Sequence, residues 1–194
     1  MPDVPKSGED IDYAERIASN ADVLSNAWEQ ALEEMELMAE QRREEGWEAV
    51  TVMAANTAPR NRRAGDDDDN RFGLVYVVPS NMGEDFSEAF EGKQFPKYEV
   101  YRREMNGNVF LVAEYIDPDT ETVIFIASQY ELRHAAGMVH DAEEEGEFYT
   151  YVQTLPGDIL GVFKHDSHEK FVPHAERIDD WSPSAPGPGE VEKN

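Results

Sequence analysis

"YEVYRREMNGNVFLVAEYIDPDTETVIFIASQY", residues 98–130, holds three apolar runs separated by two turn signals. The runs "YEVYRREM", "VFLVAEYI" and "TVIFIASQY" are rich in the β-branched and aromatic residues that suit a pleated surface. "NGN" and "DPDTE" between them supply the Asn, Gly, Asp and Pro that tight turns need. The stretch therefore reads as an antiparallel meander of three strands. In that setting Asp117 to Asp119 belong to a hairpin turn and not to a nuclease motif, since no glutamate-x-lysine follows on the next strand.

Working outward, "WEAVTVMAA" (47–55) and "FGLVYVV" (72–78) also read as strands, the second so apolar that it belongs in the middle of a sheet. Pro79 ends it, and "MGEDFSEAFEG" follows as a short helix with Asn81 as its cap and Phe86, Ala89 and Phe90 on its apolar side. After the meander, "ELRHAAGMVHDAEEEG" reads as a helix that turns Leu132, Ala135, Ala136 and Val139 inward and closes at Gly146. "EFYTYVQTL" and "DILGVFKH" flank a Pro-Gly turn as a last hairpin. At the other end, no proline or glycine interrupts Asp10 to Glu45. There Ala14, Ile17, Ala21, Leu24, Trp28, Ala31, Met35 and Met38 alternate spacings of three and four, and Gly46 is a credible stop. The expected fold is α+β: a largely antiparallel sheet of about seven strands, with a long N-terminal helix and two shorter helices on one face. A single domain over 10–181 is expected, flanked by a disordered N-terminus (1–9) and a disordered Pro/Gly/Ser tail (182–194).

The chain carries 42 Asp and Glu against 17 Lys and Arg, a net charge of −25, and its lysines occur only at Lys6, Lys93, Lys97, Lys164, Lys170 and Lys193. Molar salt shortens the screening length to about 3 Å, so such a charge is tolerable where salt is high. The absence of cysteine excludes disulfides, thiolate nucleophiles and cysteine-zinc sites. No segment approaches the run of about 18 apolar residues that spans a bilayer, and the first ten residues lack an apolar signal region, so a cytoplasmic protein without a membrane partner is expected.

"PRNRRAGDDDDNR" (59–71) sets Arg60, Arg62, Arg63 and Arg71 around Asp66 to Asp69, which makes it self-neutralising. It reads as a hydrated connector between strands, and no nucleic-acid partner is expected. "KHDSHEKFVPH" (164–174) is the better lead to chemistry. It brings His165, Asp166, His168, Glu169 and His174 into one segment past a predicted strand, and imidazoles with a carboxylate are zinc or nickel ligands. Pro173 prevents a helical H-E-x-x-H arrangement, and the plainer reading is of exposed polar residues. His134 and His140, six apart on the third helix, fall on different faces. Phosphate-loop, dinucleotide-binding and serine-hydrolase elbow motifs are absent.

In composition, and in modules such as "VIFIASQYELRHAAGMVHDAEEEG", the chain resembles uncharacterised acidic proteins of haloarchaea. The resemblance implies habitat and brings no catalytic motif. The expected function is a small, non-catalytic interaction or regulatory domain whose partner is another protein or a second copy, with no cofactor. Its candidate surface is the stripe Ile17, Leu24, Trp28 and Met35, read first as packing on the protein's own sheet and otherwise as a dimer seam. The alternative is a metal-binding protein or metal-dependent hydrolase using His165, His168 and His174 with Asp166.

Overall fold

The computed structural model describes residues 8–63 and 70–181. Helix α1 (Gly8–Glu44) leads into β1 (Glu48–Met53), β2 (Asn56–Arg60), β3 (Gly73–Val78) and helix α2 (Ser80–Phe90). The meander β4 (Lys97–Met105), β5 (Asn108–Asp117) and β6 (Thr122–Glu131) comes next. A 3-10 turn (Leu132–His134), helix α3 (Ala136–Glu145) and the hairpin β7 (Phe148–Thr154) and β8 (Ile159–His165) follow, and a 3-10 segment (Ala175–Trp181) ends the described chain. The first seven residues of the expected N-terminal arm, the run Asp66 to Asp69 and the expected tail 182–194 lie outside the described residues.

The expected single, largely antiparallel sheet is corrected to two four-stranded mixed sheets, in the orders β1-β6-β5-β4 and β2-β3-β7-β8. The meander and the last hairpin are antiparallel as expected, but β1 runs parallel to β6 and β3 parallel to β7. The extra strand is β2, where "NTAPR" pairs antiparallel with β3. The helices do not share one face either. Ala31, Met35 and Ala39 of α1 pack with Ala49, Val112, Ile116, Val123, Phe125 and Ala127 on the outer face of the first sheet. Phe86 and Ala89 of α2 and Met138, Val139 and Ala142 of α3 join the larger core, which holds side chains of both sheets.

This layering explains the unbroken apolar runs in the meander. Along β5, Val109, Leu111, Ala113 and Tyr115 enter the larger core, while Val112 and Ile116 meet α1. In β6 the even positions Ile124, Ile126 and Tyr130 point to the core, and the odd positions Val123, Phe125 and Ala127 point to α1. A strand buried on both faces shows no polar alternation. At the sheet edge, β4 keeps its charges: Lys97, Glu99, Arg102, Arg103 and Glu104 blunt the open ladder.

The C-terminal end of α1 is fixed to the sheet by one arginine. Gly46 adopts φ +90°, its N–H donates to Arg43 O at 3.0 Å, and Trp47 N–H donates to Arg42 O at 2.9 Å. This is a Schellman closure, in which glycine avoids the Cβ penalty of the left-handed region. The Arg42 guanidinium lies 4.9 Å from the centre of the Trp47 ring and donates through Nε to the buried Glu114 carboxylate at 2.8 Å. The helix terminus and β5 are thereby locked together by an ion pair whose carboxylate is buried and whose guanidinium is partly exposed. The short helix α2 differs from expectation at its start: Pro79, not Asn81, occupies the cap position, and no side chain caps it.

Candidate functional site

The site arises where one strand changes sheets. Ala54 N–H still donates to Ala127 O of the first sheet at 3.0 Å, but Ala55 N–H already donates to Val77 O of the second at 2.8 Å. Within two residues the chain has left β6 and joined β3. β6, however, continues to Glu131. The space that β1 would have filled opens as a groove of about 780 Å³.

Three walls enclose it. Asn56, Thr57, Ala58 and Pro59 of β2 form one, Gln129, Tyr130 and Glu131 of β6 with Asn108 form the second, and Leu24, Ser25 and Trp28 of α1 form the third. α1 is held in place by Asn106, whose side-chain amide donates to Asn20 Oδ1 at 2.7 Å, and by Arg103, which reaches Gln30 and Glu34. At one end stands His134, whose Nδ1 is 3.5 Å from Glu131 Oε2. Arg133 donates to the same oxygen at 2.8 Å, so the groove's one carboxylate is already matched by a cation.

One buried group in this groove lacks a partner. Thr57 is 6% exposed, lines the groove, and its Oγ1 has no hydrogen-bond partner. A buried hydroxyl with nothing to bond is unfavourable by about 1–3 kcal/mol, and native structures seldom leave one without a reason. The groove's volume falls in the range of ligand sites, and its lining mixes apolar surface from Leu24, Trp28 and Pro59 with a few amide and hydroxyl groups.

The histidines of the C-terminal segment do not assemble. His165 lies between the sheets, 3% exposed, with its Nε2 at 3.0 Å from Thr150 Oγ1. Thr150 Oγ1 is 2.9 Å from the Tyr115 hydroxyl, which shares a further 2.9 Å hydrogen bond with the Tyr76 hydroxyl. The rings of Tyr98 and Phe171 close over the imidazole at centroid distances of 4.4 and 4.7 Å. Burial pushes the His165 pKa down to about 3, against a smaller opposing pull from Asp166, so the ring is neutral. Burial likewise drives the Tyr76 and Tyr115 hydroxyls far above their ordinary range, and both remain protonated hydrogen-bonding groups.

His168 is buried edge-on against Phe148 at 6.5 Å between centroids, whereas His174 is exposed and sits 3.1 Å from Glu104 Oε2. Asp166 accepts from the Tyr98 hydroxyl at 3.1 Å. Among the described residues, no group of three or more His, Asp or Glu is placed to hold a metal ion. The expectation that a loop would gather His165, His168 and His174 fails because strand alternation turns His165 inward, alongside Phe163, while the chain beyond it crosses toward β4.

The α1 stripe divides into three. Met35 is 3% exposed and packs on the protein's own sheet; Leu24 and Trp28 are partly buried and line the groove; Ile17 is 53% exposed. The groove residues that sequence reasoning missed are Thr57, Gln129, Tyr130 and Glu131, together with His134, which it placed on the third helix on a different face from His140. No short motif unites them: Thr57 comes from β2, and the other four come from the end of β6 and the turn that follows it.

Residues 14–173 match a family of unknown function, DUF7529, and the chain belongs to that family. Comparison with curated proteins and with solved structures finds no match. No helix among the described residues is long and apolar enough to cross a membrane.

Proposed function

We propose that this chain is a protein-interaction domain that receives a segment of a partner protein in the groove between α1, β2 and β6. The observation that carries the reading is the groove of about 780 Å³ itself, opened where the chain leaves β6 for β3 and lined by Leu24 and Trp28 of α1. The rest of the lining supports binding over chemistry. Trp28, Leu24 and Pro59 offer apolar contact, Asn56, Asn108 and Gln129 offer amides, and Glu131 is tied to Arg133. A different protein is favoured over a second copy, because Met35 of the α1 stripe is already used on the protein's own sheet. The setting we infer is the cytoplasm of a halophile, which the excess of 42 acidic over 17 basic residues supports.

The test is selection of binders from a randomised octapeptide library against the full chain in molar KCl, followed by competition with an Ala58→Trp variant. Ala58 is exposed on β2 and lines the groove, so the added ring fills the site without entering the core. Binders that bind the parent chain and lose at least about tenfold in affinity for the variant support the reading. Binders indifferent to the variant, or none at all, overturn it.

A further inference from the structure

The groove is a vacated strand position. The direction of each backbone group along β6 follows from three hydrogen bonds. Glu121 O accepts from Glu48 N–H and Ala127 O accepts from Ala54 N–H, so odd-numbered residues present their backbone toward β1. Leu132 N–H donates to Gly107 O, so even-numbered residues present theirs toward β5. Because the N–H and C=O of one strand residue point to the same side and successive residues alternate, those of Gln129 and Glu131 point where β1 would continue. There β1 has gone, its chain now paired with β3. From Ala127 to Glu131 the open edge is about 13 Å long.

We infer that the groove binds its partner by strand addition: an extended segment of another protein takes the lane that β1 leaves and pairs with the backbone of Gln129 and Glu131. This rests on the reading of the groove as a protein-binding site and specifies how it binds. β2 is a poor competitor for that ladder, because Pro59 has no N–H to give and β2 already belongs to the other sheet. The position also dictates what the segment carries. Side chains on one face of the added strand meet Leu24 and Trp28 of α1, and those on the other approach Thr57 and the Tyr130 side of β6. The fitting segment has apolar side chains at alternate positions, to meet Leu24 and Trp28. Main-chain bonds supply affinity in such a mode, and alternate side chains supply selectivity.

The experiment takes octapeptides selected on the full chain in molar KCl and resynthesises each with a single backbone N-methyl group at every position in turn. N-methylation deletes one amide donor and leaves the side chain in place. Strand addition predicts a two-residue periodicity: methylation at alternate positions weakens binding by about tenfold per lost bond, and at the intervening positions by much less. In parallel, bound peptide should slow hydrogen exchange at the Gln129 and Glu131 amides. Peptides that are displaced by Ala58→Trp but show no N-methyl periodicity would overturn strand addition and leave the groove reading standing. Peptides insensitive to Ala58→Trp, or an empty selection, would remove both.

Discussion

Two polar regions lie within the same pair of sheets, one closed over by side chains and the other beside an open groove. Between the sheets, Tyr76, Tyr115, Thr150 and His165 bond one to the next, closed over by Tyr98 and Phe171. At the split between β2 and β6, Thr57 is 6% exposed and its Oγ1 bonds to nothing, while the backbone edge of β6 beside it faces a groove. In the first region the hydroxyls and His165 Nε2 find partners within the protein, and only His165 Nδ1 is left without one, which makes these polar groups part of the fold. In the second it leaves, by strand parity, the backbone of Gln129 and Glu131 to be met from outside. The open strand edge, and not a buried hydroxyl, marks the second region as a binding site.

The strongest way to break the comparison is to unfasten the roof of the groove. Arg42→Ala leaves Glu114 buried without its cation, and breaking a buried pair costs about 3–5 kcal/mol. Because solvent reaches part of Arg42, we expect the lower end of that range, read as a shift in the denaturation midpoint. Peptide binding should fall with it as α1 loosens, while the Tyr76 to His165 chain between the sheets persists. Unchanged stability would mean that the α1 contact does not depend on this pair.

Acid should act on the closed region. His165 has a pKa of about 3 in the folded chain, against about 6.5 when unfolded. Between these values the unfolded chain binds the proton and the folded one does not, so stability falls as the pH drops from about 6.5 toward 3. The loss attributable to this residue is on the order of 4 kcal/mol. A pH series of chemical denaturation on the parent and on His165→Gln reads it as the difference in slope. Parallel curves would show that His165 is not held neutral by burial.

The same substitution made in both regions sharpens the contrast. Thr150→Val removes the hydroxyl that links Tyr115 to His165; Tyr115 keeps its bond to Tyr76 but His165 Nε2 is stranded, for an expected loss of about 1–3 kcal/mol. Thr57→Val removes a hydroxyl with no partner, so stability should be unchanged or slightly higher. Equal destabilisation by the two changes would mean that Thr57 has an internal partner and that the regions are alike.

The meander, the last hairpin and the glycine that ends α1 were legible in the sequence because each is specified locally: "NGN" and "DPDTE" mark turns, and Gly46 marks the closure. The inward set Leu132, Ala135, Ala136 and Val139 followed from spacing, although a 3-10 turn precedes the helix proper. The split into two sheets was not legible. It depends on the parallel pairs β1 with β6 and β3 with β7, which join segments far apart in the chain and leave no local mark. β2 was hidden for a related reason: "NTAPR" has weak strand propensity, includes proline, and is extended because β3 offers it a ladder. Missing β2 meant missing the groove, since its departure from β6 creates the open lane. His165 was misread because it was grouped with its sequence neighbours, when the alternation in "ILGVFKH" already set it on the same side as Phe163.

The central claim is that β6 keeps an open edge past Ala127. Residue-resolved hydrogen exchange on the free chain in molar KCl tests it most directly. The account predicts fast exchange at Gln129 and Glu131, flanked and interleaved by slow exchange at Ala127, Tyr130 and Leu132. Uniformly slow exchange from 127 to 132 would contradict it, by showing that the protein itself already fills the lane.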